Sequence, residues 1–171
     1  MPSLLLTVLF ASPGQCNAPV PVKTSAITSH YGYRKIPGRQ RQFHYGLDIG
    51  AKRGTPVRAI TAGNVTYTGG HHNVVIIWNR STRYSVHITY AHLDKVLVSN
   101  RDKVNAGDVI GTVGNSGSGK GNLWHFTPHL HLTATVKNPQ TGNIEKQDPM
   151  KVLGLCKYRS VANRQNIAYR Y

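Results

Sequence analysis

The sequence is poor in acidic side chains. Of its 171 residues only 6 are Asp or Glu, against 21 Lys or Arg and 9 His, so the formal net charge is +15. Because so few carboxylates are present, acid–base chemistry is more readily supplied here by imidazole than by a carboxylate pair. The surplus of cations produces a field that attracts polyanions of any kind, namely nucleic acid, an anionic membrane or an anionic cell-wall polymer.

The basic residues are not gathered into one stripe. A nucleic-acid-binding surface usually clusters Lys and Arg with aromatic residues between them. Here they are scattered, with mild clusters only at residues 34–41 and 157–171. We therefore expect no specific nucleic-acid partner, and keep as an alternative a basic nucleic-acid-binding protein whose histidines are incidental.

Long apolar runs are missing except near the start of the chain. Residues 4–11 are apolar and a Ser-Pro-Gly sequence follows them, which is the order typical of a signal peptide, although no basic residue precedes the run. The run is too short to cross a bilayer as a helix, and we expect no transmembrane segment. We predict an N-terminal apolar or signal-like segment at 1–16, one domain at 17–156 and a basic tail at 157–171. A buried first strand is the alternative for the apolar run.

Cysteine is nearly absent, because Cys16 and Cys156 are the only two. They are far apart and have no CxxC spacing, so they do not indicate a metal site. In an exported protein a disulfide between them is the natural hypothesis, and two free thiols are the alternative. Lipid attachment at Cys16 is disfavoured because Gln15 precedes it.

Short apolar segments separated by glycine-rich turns extend from about residue 27 to residue 153, with no sustained helical period. This pattern predicts a mainly β fold. On the segment 84–92, the two-residue period places Tyr90 and His92 on one face, so that a mainly apolar face ends in a histidine. The clearest predicted strands are residues 57–60, 64–68, 74–78, 84–92, 109–113 and 130–136.

Two segments carry candidate metal ligands. His44 and Asp48 are four residues apart, and both extended and helical chains place them on one face, with Gly46 favouring the extended form. In a strand His129 and His131 lie on one face while the leucines that follow each of them enter the core. Two imidazoles beside a dry layer are half of a typical zinc site, and a solvated surface strand is the alternative.

These segments, in this order, resemble the lysostaphin-type zinc metallopeptidases, which cut peptide bonds of bacterial peptidoglycan. The resemblance rests on His44-x3-Asp48, the sequence Tyr-Ala-His-Leu at 90–93 and His129-Leu-His131, supported by SHYGYR at 29–34, GTPV at 54–57, VIGTVG at 109–114 and DPM at 148–150. It covers about residues 27–153. It implies an antiparallel β core, of the sandwich or duplicated hybrid-motif type, with a groove whose floor carries the active site.

The resemblance also implies roles for five residues. His44, Asp48 and His131 would hold one zinc ion, and His92 and His129 would be the catalytic residues beside it. The residue types support this allocation, since two histidines and one carboxylate form a three-ligand catalytic set with an open position. The sequence has one Glu, at position 145, and no His-Glu-x-x-His motif, so proton transfer and oxyanion stabilisation fall to the two remaining histidines. Which histidine is the general base stays open.

Two features are not accounted for by the resemblance. Residues 118–127 form an insertion in which Trp124 and Phe126 either wall the groove or pack on each other. His71 and His72 lie in a predicted turn and are either solvated or substrate-facing.

The implied function is a secreted or periplasmic bacterial zinc endopeptidase that hydrolyses peptide cross-links or cross-bridges of peptidoglycan. Its basic surface would concentrate it on anionic cell-wall polymer. The alternative is a catalytically silent protein that binds the wall or activates another wall hydrolase. Such proteins typically lose metal ligands, whereas this sequence keeps all of the key residues. The sequence does not indicate an oligomeric state or the bond that is cut.

Overall fold

The computed structural model describes residues 18–23, 26–35, 38, 40–80, 85–117, 127–138 and 141–155. The predicted N-terminal segment at 1–16, both cysteines, residues 118–126 of the insertion and the basic tail at 157–171 lie outside the described residues. In the part of the chain that is described, no helix has the length and apolar character needed to cross a membrane.

The described residues form short strands and one helical turn. In chain order these are β1 (Ala26–Ser29), β2 (Gly32–Arg34), β3 (Gln42–His44), β4 (Leu47–Gly50), β5 (Pro56–Arg58), β6 (Gly63–Gly69), β7 (Val74–Arg80), β8 (Ser85–Ala91), β9 (Leu93–Val96), β10 (Lys103–Val104), β11 (Val109–Val113), β12 (His129–Lys137), β13 (Ile144–Gln147) and α1 (Pro149–Val152).

The strands form one large sheet and two small ones. The large sheet has the order β1-β4-β12-β8-β7-β6-β10, and β13 also pairs with β12. Strand β12 is long enough to pair with β4 along its first half and with β13 along its second half. The small sheets are β5-β11-β9 and the two-stranded pair β2-β3. Every pairing is antiparallel, which confirms the predicted antiparallel β class.

The hydrophobic core lies on one face of the large sheet. Alternate residues of β8 and β12 are fully buried there, and side chains from β5 and β11 of the three-stranded sheet belong to the same buried cluster. The hydroxyl of Tyr90 accepts a hydrogen bond from the backbone N–H of Ile60 at 2.9 Å, and burial raises the pKa of this phenol. A neutral, paired phenol is compatible with its place in the core.

The six predicted strands are present, the one at 109–113 with the predicted bounds and the other five with shifted ends. The segment predicted at 84–92 is β8, which ends at Ala91, while residue 84 lies outside the described residues. The strands that were not predicted have two to four residues each, too few to show an alternating pattern. Helix α1 begins where the Asp148 carboxylate accepts the Met150 N–H at 2.9 Å and Pro149 occupies the first turn.

Candidate active site

The site lies on the face of the large sheet opposite the core. Asp48 of β4 and His131 of β12 are cross-strand partners, so their side chains share this face. Leu130 and Leu132 point the other way and are fully buried, as the alternation predicts. The sheet register therefore brings together two residues that are 83 positions apart in the sequence.

His44 reaches the same point from the end of β3. A two-residue connection, Tyr45 and Gly46, leads from β3 into β4, so the segment is extended rather than helical. A Cβ atom at Gly46 would lie 2.5 Å from Cε1 of His131 and 2.8 Å from the carbonyl oxygen of Leu132. Glycine at this position is what allows the connection to pass directly beside the His131 ring.

Three donor atoms converge between these strands. Oδ1 of Asp48 lies 2.7 Å from Nδ1 of His131 and 3.2 Å from Nε2 of His44. The two imidazole nitrogens are 3.2 Å apart. His44, Asp48 and His131 are thus grouped closely enough to surround a single metal ion.

Two of the three donors are oriented by a second contact. The ring Nδ1 of His44 donates to the carbonyl oxygen of His30 at 2.8 Å, so in the neutral, metal-binding form of the ring the lone pair is on Nε2. Arg34 donates to Oδ2 of Asp48 at 3.0 Å and to the Ser29 hydroxyl at 2.7 Å. Such outer contacts are what orient metal ligands in known sites.

The electrostatics keep the carboxylate charged. Burial alone raises the pKa of Asp48, but hydrogen bonds from His131 and His44, together with their charge, lower it well below its usual range. The carboxylate is therefore ionised near neutral pH and available as an anionic ligand.

His129 lies beside the three donors but is not grouped with them. Its Nε2 is 3.9 Å from Oδ1 of Asp48, and its Nδ1 donates to the carbonyl oxygen of Thr127 at 2.8 Å. Since the carbonyl can only accept, Nδ1 carries a proton, and in the neutral ring Nε2 presents a lone pair to the site.

His92 reaches the site by a route that the alternating pattern does not predict. The expectation that it shares the apolar face with Tyr90 is wrong, because β8 ends at Ala91 and His92 has a φ of 65°. This left-handed turn re-aims the side chain, whose ring lies 4.9 Å from that of His129 and 5.7 Å from that of His131. The turn thus places a third imidazole against the two from β12.

His92 is held in a defined protonation state. Its Nδ1 donates to the carbonyl oxygen of Ser116 at 2.7 Å. Burial lowers the pKa of His92 to about 4; the bond to Ser116 opposes this, and the charges of His129, His131 and His72 add to it. The ring is therefore neutral near pH 7, with its second nitrogen free of a proton.

The turn histidines differ in their relation to the site. The ring of His72 is 5.2 Å from that of His92. The backbone carbonyl of His72 accepts a hydrogen bond from the backbone N–H of His92 at 2.9 Å. Gly117 makes room for His72, since a Cβ atom there would fall 1.7 Å from its Nδ1. His71 is exposed and its ring contacts His72. His72 is accordingly at the margin of the site. The sequence alone did not distinguish a solvated His72 from a substrate-facing one.

The structure brings together all five residues that the sequence indicated, and it adds others. Arg34 lies within the fragment SHYGYR, but its type and position gave no sign that it would bind Asp48. The carbonyl groups of His30, Ser116 and Thr127 could not have been found, because backbone groups leave no signal in residue type.

The donor set fits zinc. Two imidazole nitrogens and one carboxylate oxygen are the ligands of many catalytic zinc sites, which keep a fourth position for water or substrate. Among the described residues, the group of candidate ligands has three members and no more. A structural zinc site would usually be closed by a fourth protein ligand.

Comparisons with known proteins give a family match and several relatives. The model of "Peptidase family M23" matches residues 42–149. The chain is 32% identical over 148 residues to the glycyl-glycine endopeptidase ALE-1 of Staphylococcus capitis, covering 82% of this chain and 38% of that protein. It is 36% identical over 120 residues to the DD-carboxypeptidase/endopeptidase Mpg of Neisseria meningitidis, covering 68% of this chain and 26% of that protein.

A solved structure shares the fold. The catalytic domain of the antimicrobial peptidase lysostaphin from Staphylococcus simulans superposes with a TM-score of 0.60 at 29% identity, over 75% of this chain and 92% of that domain. The match thus covers most of that catalytic domain, while the chain spans only 38% and 26% of the two curated relatives.

Proposed function

The chain belongs to peptidase family M23, and from that premise we propose that it is a zinc-dependent endopeptidase that hydrolyses peptide cross-links or cross-bridges of bacterial peptidoglycan. The observation that carries the proposal is the three-donor set with two further imidazoles beside it. The names of the relatives support it, since one is a glycyl-glycine endopeptidase and another a DD-carboxypeptidase/endopeptidase.

In this proposal Nε2 of His44, Oδ1 of Asp48 and Nδ1 of His131 hold the zinc ion. Bound zinc would polarise the carbonyl of the scissile peptide and lower the pKa of a water molecule to near neutrality. The protein keeps the donor atoms in place through the His30 carbonyl and Arg34.

His92 and His129 are the proposed catalytic residues. Each has its Nδ1 proton engaged by a backbone carbonyl, so in the neutral form of each ring the Nε2 lone pair is presented to the site. A neutral imidazole takes a proton from an attacking water, and an imidazolium returns one to the departing amine. The lowered pKa of His92 keeps it neutral before reaction, and Nε2 of His129 lies 3.9 Å from Oδ1 of Asp48.

The proposed substrate determines where in or outside the cell the enzyme must act. Peptidoglycan lies outside the cytoplasmic membrane, so we place the enzyme in the periplasm or the extracellular medium. The net charge of +15 would concentrate it on anionic cell-wall polymer by a long-range field, without a role in the chemical step.

The proposal is tested by digestion of purified cell walls. The zinc-loaded full chain is incubated with walls that carry glycine-rich bridges and with walls that carry direct cross-links, with and without a chelator. We expect chelator-sensitive release of new amino termini from at least one type, identified by mass spectrometry. His87→Ala, on β8 outside the five-residue group, is the control variant and should cleave like the wild type.

Absence of cleavage would contradict the proposal. If the zinc-loaded protein releases no amino termini from any wall type, the endopeptidase assignment is wrong. Binding to the walls without cleavage would then favour the silent wall-binding alternative.

A further inference from the structure

The hairpin formed by β2 and β3 has two chemically different faces. His44 and Arg34 lie on its inner face, where they contact the Asp48 carboxylate. Tyr33 and Phe43 are cross-strand partners on the outer face. The hairpin therefore supplies the metal centre from one side and presents aromatic rings from the other.

The outer face carries four aromatic side chains in contact, which we call the aromatic strip: Tyr31, Tyr33, Phe43 and Tyr45. The Phe43 ring lies at the centre, with centroid distances of 5.0 Å to Tyr33, 5.1 Å to Tyr31 and 4.6 Å to Tyr45. Tyr33 is 67% exposed and Tyr45 is 53% exposed. Contiguous exposed aromatic surface of this kind usually marks a binding site.

Two cations are fixed over the strip. The guanidinium carbon of Arg41 lies 4.6 Å from the ring centroid of Tyr33, and Nζ of Lys146 lies 5.6 Å from that of Tyr45. In the described part of the chain, no ion pair with a carboxylate involves either cation. Cation–π contacts thus hold hydrogen-bond donors at both ends of the strip, ready for acceptors that come from a ligand.

The strip is joined rigidly to the catalytic region. Tyr45 directly follows His44 in the chain, and the hydroxyl of Tyr31 donates to the carbonyl oxygen of Lys146 in β13 at 2.9 Å. The bond to Lys146 ties the hairpin to the edge of the large sheet. A polymer lying along the strip would consequently have its side branches within reach of the metal centre.

We infer that the aromatic strip, with Arg41 and Lys146, binds the glycan strand of peptidoglycan while a peptide attached to that strand enters the metal centre. This inference rests on the proposed function. A pyranose ring has a C–H face that packs on an aromatic ring and a rim of hydroxyl and carbonyl oxygens that accept hydrogen bonds. Tyrosine offers the matching combination of a flat apolar body and a polar edge, at low cost in conformational entropy.

The position of the strip favours glycan over peptide as its ligand. The scissile peptide has to reach His44, Asp48 and His131 on the inner side of the hairpin, so the outer side is left for the part of the substrate that extends beyond the peptide. Arg41 and Lys146 carry only donors, which suits a ligand rich in acceptor oxygens.

The aromatic strip also stabilises the hairpin through its ring pairs, so the test has to separate binding from folding. We choose the double variant Tyr33→Leu/Tyr45→Leu, which keeps apolar bulk against Phe43 but removes the two exposed rings. Tyr67→Leu is the matched control, because Tyr67 on β6 is 46% exposed and lies outside the strip. Zinc content and melting temperature report on the folding of each variant.

The experiment measures binding of soluble glycan strands that have been stripped of their peptides, using the zinc-free full chain. We expect the wild type and Tyr67→Leu to bind equally, and the double variant to bind at least about tenfold more weakly, as for the loss of a binding hot spot. On intact walls, the zinc-loaded double variant should lose at least about tenfold more activity than it loses on a sugar-free cross-linked peptide.

The inference is overturned if the wild type does not bind peptide-free strands, or if Tyr67→Leu weakens binding as much as the double variant. It is also overturned if the double variant binds normally and salt alone abolishes binding, since the net charge would then be the whole cause. Cleavage of the sugar-free peptide by the zinc-loaded wild type tests the proposed function separately. Strand binding is measured without zinc and does not depend on that result.

Discussion

Arg34 and Asp48 form an ion pair in which Nη1 of the guanidinium lies 3.0 Å from Oδ2 of the carboxylate. Because Oδ2 is occupied in this way, the other oxygen, Oδ1, is the one that faces His44 and His131. The pair connects the β2-β3 hairpin to the large sheet and decides which lone pairs of the carboxylate are presented to a metal ion. A residue that touches no donor nitrogen thus orients the metal site.

Replacement of this arginine should weaken zinc binding. We expect Arg34→Gln to lower zinc affinity by about 10- to 100-fold, the range found for outer contacts of metal ligands. Competition with a chromophoric chelator measures the effect. Arg53→Gln, which removes the exposed ion pair with Asp94, is the control and should bind zinc like the wild type. Equal affinities for both variants would show that Arg34 does not orient the site.

Replacement of a metal ligand and replacement of a proton-transfer residue should have different effects on zinc content and on rate. His131→Ala removes a donor atom, so it should lose zinc and activity together. His92→Asn, in which the new residue tolerates the left-handed backbone, should retain zinc and lose about 10²- to 10⁴-fold in rate. Zinc is measured by elemental analysis and the rate by release of amino termini. If His92→Asn loses as much zinc as His131→Ala, the division of roles is wrong.

A methyl group at position 46 should disturb the metal site although no ligand residue is replaced. Gly46→Ala would bring a Cβ atom within 2.5 Å of the His131 ring and 2.8 Å of a backbone oxygen, so ring or backbone has to shift. We expect a loss of about 1–3 kcal/mol in stability and weaker zinc binding.

The control for Gly46→Ala is Gly142→Ala, where φ is +73° and nothing lies within 4 Å of the new atom. That variant should lose stability through backbone strain while its zinc affinity is unchanged. Unchanged zinc affinity in Gly46→Ala as well would contradict the steric account of the His131 position.

The zinc-free protein should lose stability on mild acidification, in part because of His92. The pKa of His92 falls from 6.5 to about 4 on folding, chiefly through burial, so the unfolded chain takes up a proton more readily. The contribution of His92 to the free energy of unfolding is therefore fully present above about pH 6.5 and is lost as the pH falls towards 4. Melting temperatures of the zinc-free wild type and His92→Asn between pH 7 and pH 4.5 test this. The wild type should fall further, and parallel curves would refute the shift.

The sequence predicts those strands that are long enough to show a repeated alternation of apolar and polar residues. Six strands of the core show apolar alternation over several residues, and the burial of Leu130 and Leu132 follows directly from it. The two-residue period also predicts that His129 and His131 share a face. The grouping of these residues with His44 and Asp48 follows from the family resemblance, since no local pattern states which strands become neighbours.

The remaining features depend on information that a residue pattern does not contain. His92 enters the site through a left-handed turn that breaks the alternation expected of β8. The β2-β3 hairpin shows rings on its solvent side, contrary to the usual arrangement of apolar residues towards the core, so it gives no recognisable strand signal. Arg34 acquires its role only when β1 and β4 pair and bring Ser29 beside Asp48.

The two faces of the β2-β3 hairpin have a consequence for how its sequence can change. Side chains in a strand alternate from face to face, so removal or insertion of a single residue within β3 would exchange the environments of His44 and Phe43. The imidazole would be turned into solvent and the phenyl ring towards the Asp48 carboxylate. Substitutions on the outer face leave the metal ligands in place and are therefore a route to altered wall preference, whereas the length of the strand is fixed by the metal centre on its other side.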